Sequence, residues 1–99
     1  MQAAYEESFD RDMGCTEAQW LGWLPAALGE HAWQRDGACV QVAIGDGRVA
    51  LSWQAAPPRI IALMEVPRLM VRFRFIGLDE AARYAFMKRF DLYMQRGGG

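Results

Sequence analysis

Histidine, lysine and cysteine are nearly missing from this chain: His31, Lys88, Cys15 and Cys39 are all it has of them. One imidazole and two widely spaced thiols do not make a structural zinc site, which takes four nitrogen or sulfur donors. Nor can two cysteines supply a disulfide framework, so reduced thiols are expected. His31 has no nucleophile aimed at it, and Glu30 beside it points elsewhere in most backbones, so it reads as an ordinary connector histidine. Cys15 follows Gly14 and precedes a helix start, where a thiolate is stabilised. That is the one weak hint of a nucleophile. Cys39 reads as packing or lining a sheet face. Gly45-Asp46-Gly47 lacks the Lys-Ser/Thr of a phosphate loop and reads as a turn. Catalytic residues, metal and cofactor are therefore all expected to be none.

Long apolar runs are also missing. None approaches the ~18 residues of a membrane span, and Met1–Glu7 has neither the basic start nor the apolar stretch of a secretory signal. The expectation is a cytoplasmic protein without membrane contact. Yet 53% of the residues are hydrophobic and 12% aromatic, which argues against disorder. Ninety-nine residues suit one domain, taken as residues 1–96, with 97–99 a flexible Gly tail. Arg96-Gly97-Gly98-Gly99 is similar, over those residues alone, to the diglycine tails of ubiquitin-like and sulfur-carrier proteins. There the tail follows a strand, whereas here it follows a helical pattern.

Net charge is −1 but unevenly spread. Residues 1–36 carry seven acids and two bases, and residues 37–99 five acids and nine bases. Either the halves complement each other within one fold, or a basic surface faces a partner.

The clearest pattern is Arg68–Ile76. Leu69, Val71, Phe73 and Phe75 alternate with Arg68, Met70, Arg72 and Arg74, which predicts a strand with one apolar face. Upstream, Tyr5, Phe9 and Met13 recur every four residues before Gly14. They predict a helix over 3–13 with a Glu7–Arg11 pair, or else an edge strand. Thr16 to Gln19 has the form of a capping box and opens a helix, which Pro25 either kinks or divides. Residues 29–37 read as a connection anchored by Trp33.

Asp46-Gly47 predicts a two-residue hairpin turn pairing Ile44 with Val49, Val42 with Leu51 and Val40 with Trp53. Pro57-Pro58 predicts a break before a third strand, Arg59–Glu65, and Val66-Pro67-Arg68 a turn. That register sets Arg59 against Arg74, a like-charge pair that calls for splaying or for an acid. Asp79 is a suitable N-cap for a helix to about Gln95, with Ala82, Phe86, Phe90 and Tyr93 on its apolar stripe. The expectation is an α+β two-layer sandwich: a four-stranded antiparallel meander, with N-terminal helices and a long C-terminal helix on one face.

Two functions fit. The first is a non-enzymatic protein-interaction domain (adaptor or accessory) using Arg59, Arg72, Arg74, Ile61, Leu63 and Met70 on the reverse face of the sheet. Its partner would be another protein, or a second copy bringing its acidic N-terminal segment onto the Arg face. Nucleic acid is disfavoured because Phe73, Phe75 and Trp53 point inward, where no base can stack on them. The alternative is a small-molecule binder or minor enzyme with a pocket at Trp20, Trp23, Leu24 and Trp53, between the Pro25 helix and the sheet.

Overall fold

The computed structural model describes residues 4–96. It is α+β: one antiparallel sheet of five strands and two helices. In chain order the elements are β1 (Ser8–Met13), α1 (Glu17–Leu28), β2 (Trp33–Asp36), β3 (Cys39–Ile44), β4 (Gly47–Ile61), β5 (Met64–Ile76) and α2 (Glu80–Arg96). The sheet order is β1-β5-β4-β3-β2. The first strand therefore lies beside the last, and the expected four-stranded meander becomes a five-stranded sheet.

The N-terminal segment is the edge strand rather than a helix. Phe9, Arg11 and Met13 sit opposite Phe73, Val71 and Leu69, and the ring of Phe9 stacks on that of Phe73 at 4.9 Å. Tyr5, Phe9 and Met13 are spaced by four, which is also an even number. The same residues therefore share a face under either period, and only the free edge of β5 decides between them. Arg11 pairs with Asp91 of α2, not with Glu7.

Helix α1 starts as its capping box requires. The Thr16 hydroxyl accepts from the Gln19 amide at 3.1 Å, and the Gln19 side chain accepts from the Thr16 amide at 2.9 Å. It runs through Pro25 to Leu28 as one helix. A second N-terminal helix is absent from the described residues. Residues 33–36, read as connection, form the edge strand β2, and Trp33 is 37% exposed rather than an anchor.

The β3–β4 hairpin turns at Gly45-Asp46, pairing Ile44 with Gly47, Val42 with Val49 and Val40 with Leu51. That is two residues from the expected register, an even shift, so the same side chains still reach the core. Gly45, at φ 55, takes the positive-φ position. Gly47 has a different duty: a Cβ there would lie 2.6 Å from the carbonyl oxygens of Ile76 and Gly77.

The larger correction concerns Pro57-Pro58. They interrupt no strand: β4 continues to Ile61, turns at Ala62-Leu63 and returns as β5, with Ile61 opposite Met64. The register shifts between Ala56 and Arg59, and Pro57, Pro58 and Pro67 all fall where no ladder partner is assigned. Prolines in a bulge forfeit no ladder hydrogen bond. Arg59 consequently faces Val66, and Arg74 faces Ala50, so the expected like-charge pair does not form.

Both helices cover one face. Phe90 of α2 meets Phe73 edge-on at 5.2 Å and Trp20 of α1 at 5.8 Å, while Phe86 meets Phe75 at 5.9 Å. Val40, Val42, Val49, Leu51, Leu69, Val71 and Met87 complete a fully buried core. Among the described residues no helix is long and apolar enough to cross a membrane. The proposed Gly tail, 97–99, lies outside the described residues.

Candidate interaction surface

The helix-free face of the sheet carries the even-numbered side chains of β5. Arg72 and Arg74 alternate there with Phe73 and Phe75 of the core, and Met70 is half-buried between Arg68 and Arg72. Strand β1 brings acids to this row. The Arg72 Nε donates to Asp10 Oδ1 at 2.9 Å. Asp12 accepts from Arg59 Nη2 at 2.9 Å and from Arg68 Nε at 3.0 Å. The charge complement is thus met inside the chain, by an edge strand laid along β5. Hydrogen bonding from Arg72 holds the Asp10 carboxyl below its ordinary pKa, and that from Arg68 does the same for Asp12. Arg74 makes no ion pair among the described residues.

Beyond the sheet the β4–β5 hairpin continues as a two-stranded arm. Strand β3 reaches only to Ser52 of β4, and β1 only to Leu69 of β5. Beyond Trp53, whose N–H donates to the Ala38 carbonyl at 3.1 Å, and beyond Leu69, neither outer edge has a strand partner among the described residues. Asp12 grips the base of the arm, holding Arg59 of one strand and Arg68 of the other. At the far end Ile60, Ile61, Leu63 and Met64 are exposed, Leu63 completely. The turn is made of Ala62 and Leu63, with Ala62 at φ 54, a conformation that costs a side-chain-bearing residue about 1–2 kcal/mol. A hairpin end normally carries Asn or Gly and is polar. Here it is strained and apolar.

Comparison with known proteins adds nothing to this geometry. No family model, curated protein or solved structure matches the chain.

Of the residues expected at an interface, Arg72, Arg74 and Met70 lie on the open face, while Arg59, Ile61 and Leu63 lie on the arm. One continuous stretch of β4 and β5 joins the two groups. Sequence reading missed Ile60 and Met64, the other two apolar side chains of the arm. Their signal was the run Ile60-Ile61-Ala62-Leu63-Met64, obscured because Ala-Leu is not a recognisable turn. It also missed Asp10 and Asp12, which a helical reading of 3–13 places elsewhere.

The residues named for the alternative pocket come together as packed core. Trp20, fully buried, meets Trp53 at 5.5 Å, and Leu24 is buried beside them. Trp23 is half-buried. The Trp53 indole donates to Glu17 at 2.9 Å, whereas the Trp20 indole N–H finds no acceptor among the described residues. Two shallow depressions lie elsewhere. One of about 370 Å³ is bordered by Asp10, Ser52, Met70 and Arg72 on the open face. The other, about 320 Å³ and mostly apolar, adjoins Trp33, Ala43 and Arg48. His31 stands 6.3 Å from Phe86, ring to ring. Among the described residues no three His, Cys, Asp or Glu side chains converge as metal ligands.

Proposed function

We propose that this chain is a non-enzymatic protein-interaction domain, an adaptor or accessory, whose binding element is the β4–β5 arm and the open sheet face running into it. One observation carries the reading. Ile60, Ile61, Leu63 and Met64, each more than half exposed, cluster at the end of a ribbon that Asp12 of β1 holds only at its base. A two-stranded ribbon is marginal alone in water, and a contiguous apolar surface of this kind marks a contact site. The strained Ala62 turn supports it, since such outliers gather where function requires them. Two free cysteines support the cytoplasmic setting that belongs to this reading.

The test uses the tagged chain as bait in an extract of its own host, beside a Leu63→Glu/Met64→Glu variant. The expected result is a specific associated protein, a second copy of this chain included, retained by the native arm and lost from the variant. Recovery of the same proteins by both baits would sink the proposal.

A further inference from the structure

We infer that the arm's occupant is an acidic protein segment, apolar where it meets the arm and carboxylate-bearing where it crosses Arg48 and Arg74 at the other end of the open face. This rests on the interaction reading above and names the chemistry of the partner.

Arg48 lies opposite Ile76 and Arg74 opposite Ala50, so the two arginines are diagonal neighbours across β4 and β5. Such neighbours stand about 7–8 Å apart, close enough for side chains this long to share one ligand. Both are exposed, and neither makes an ion pair among the described residues. The other arginines of this face are answered from within the chain: Asp10 takes Arg72, and Asp12 takes Arg59 and Arg68. Strand β1 supplies no third acid to this ladder, because its residue opposite Arg74 is Ser8. Two like charges thus stand side by side without a bound carboxylate, in a chain whose net charge is −1. Carboxylate is the group that suits them, since each guanidinium fork can take one in two parallel hydrogen bonds. At these two positions a partner's acid displaces no internal contact.

The face also leaves room. Arg74 is flanked by Ala50, and Arg48 by Ala43 on its other side. These short side chains lie between the two depressions, one bordered by Gln41 and Arg48 and the other by Ser52 and Arg72. At the tip of the arm, Ile61 and Met64 face each other, and alternation puts them on the same side as Arg68. The apolar end therefore continues the open face. From Met64 to Arg74 is ten positions of β5, about 33 Å of strand. One extended segment of about 10 residues spans both ends. Nucleic acid suits this face less well. Phe9, Trp53, Phe73 and Phe75 turn toward the helices, which leaves no ring for a base to stack on. Asp10, Asp12 and Asp36, which the ladder sets on the open face, would repel a continuous phosphate backbone.

The experiment titrates the full chain with fluorescein-labelled probes and reads their anisotropy. The first probe is a peptide of about 12 residues, with leucines at one end and glutamates at the other. The second has glutamine for every glutamate, and the third is a DNA duplex of similar length. The glutamate peptide is expected to bind at least about tenfold tighter than the glutamine peptide. Arg48→Glu/Arg74→Glu should abolish that preference, and Ile61→Ser/Met64→Ser should weaken both peptides alike. Arg35→Glu/Lys88→Glu makes the same change of charge away from the open face and should leave the preference intact. Circular dichroism confirms that each variant is folded. Equal binding of the two peptides, or binding of neither, overturns the inference. So does a preference that survives Arg48→Glu/Arg74→Glu, or a duplex bound tighter than the glutamate peptide. If the arm still captures a protein from host extract in that event, the interaction reading stands with a partner of other chemistry. If arm-dependent capture fails too, both fall.

Discussion

Arg72 and Asp10 face each other across β5 and β1, Nε to Oδ1 at 2.9 Å, although 62 positions separate them in the chain. Together with Asp12, which holds Arg59 and Arg68, this contact fastens an acidic edge strand along a basic one. It also means that a salt-sensitive assembly of Arg face on acidic segment would have to displace contacts already made within each copy. The arm needs no such exchange.

The same contact sets an acid response. Both aspartates titrate below the ordinary 3.8 in the folded chain, held down by hydrogen bonds from Arg72 and Arg68. A depressed carboxylate stabilises the fold fully above the unfolded value, and that contribution is lost as pH falls through the lower folded value. Asp10→Asn/Asp12→Asn should therefore lower the urea midpoint at neutral pH. The gap from the native chain should close on acidification below 3.8. A gap that stays constant with pH would contradict the assignment.

On the opposite side of β1, Arg11 is bidentate to Asp91 of α2, and the Tyr5 hydroxyl donates to the same carboxylate at 3.1 Å. Burial alone would depress the Arg11 pKa, but the hydrogen bond and charge of Asp91 outweigh it and the value is raised. Charge-assisted bonds of this kind contribute on the order of 1.5–3 kcal/mol. Asp91→Ala should cost about that much in chemical denaturation and leave β1 the first strand to exchange its amides.

Ala62 offers a gain instead. With φ at 54, Ala62→Gly should raise stability by about 1 kcal/mol, part of the relief being offset by the freer unfolded chain. A thermal melt of the two proteins checks this. A fall in the midpoint would mean the turn is not strained.

Thiol labelling separates the two cysteines. Cys39 is exposed, while Cys15 is buried with its thiol pushed up in pKa by burial. A maleimide should add once to the native chain, at Cys39, and a second time only in denaturant. Double labelling of the native chain would put Cys15 on the surface.

What could be read from the sequence tracks how local each signal is. The Thr16 capping box, the Asp79 cap (its carboxylate accepts from Ala82 N–H at 2.8 Å) and the inward row of Leu69, Val71, Phe73 and Phe75 each need only a few neighbouring residues, and all are present. Where the outcome depended on a distant partner, sequence reasoning left the choice open, as between helix and edge strand for 3–13, or went astray, as at Trp33–Asp36. Residues 8–13 form a strand because β5 has an edge to fill, and Trp33–Asp36 because β3 does. The prolines misled for a related reason. Their cost depends on whether a ladder partner is lost, and a bulge between Ala56 and Arg59 spares it. The interface residues were half legible: the Arg and Met row by alternation, the arm only once Ala62-Leu63 is known to be the turn.

The placement of β1 also sets an order of events. The β3–β4 and β4–β5 hairpins close over a few residues, whereas β1 must find β5 across most of the chain, and the entropy of closing a loop grows with its length. Contacts so remote in sequence form late and slow the search. The meander and α2 should therefore assemble first, leaving the long edge of β5 open until the N-terminal strand arrives. During that interval the Arg row has no acids beside it. Asp10 and Asp12 end the period in which that edge is exposed to other chains, so β1 acts as a late-fitted guard for the nascent sheet.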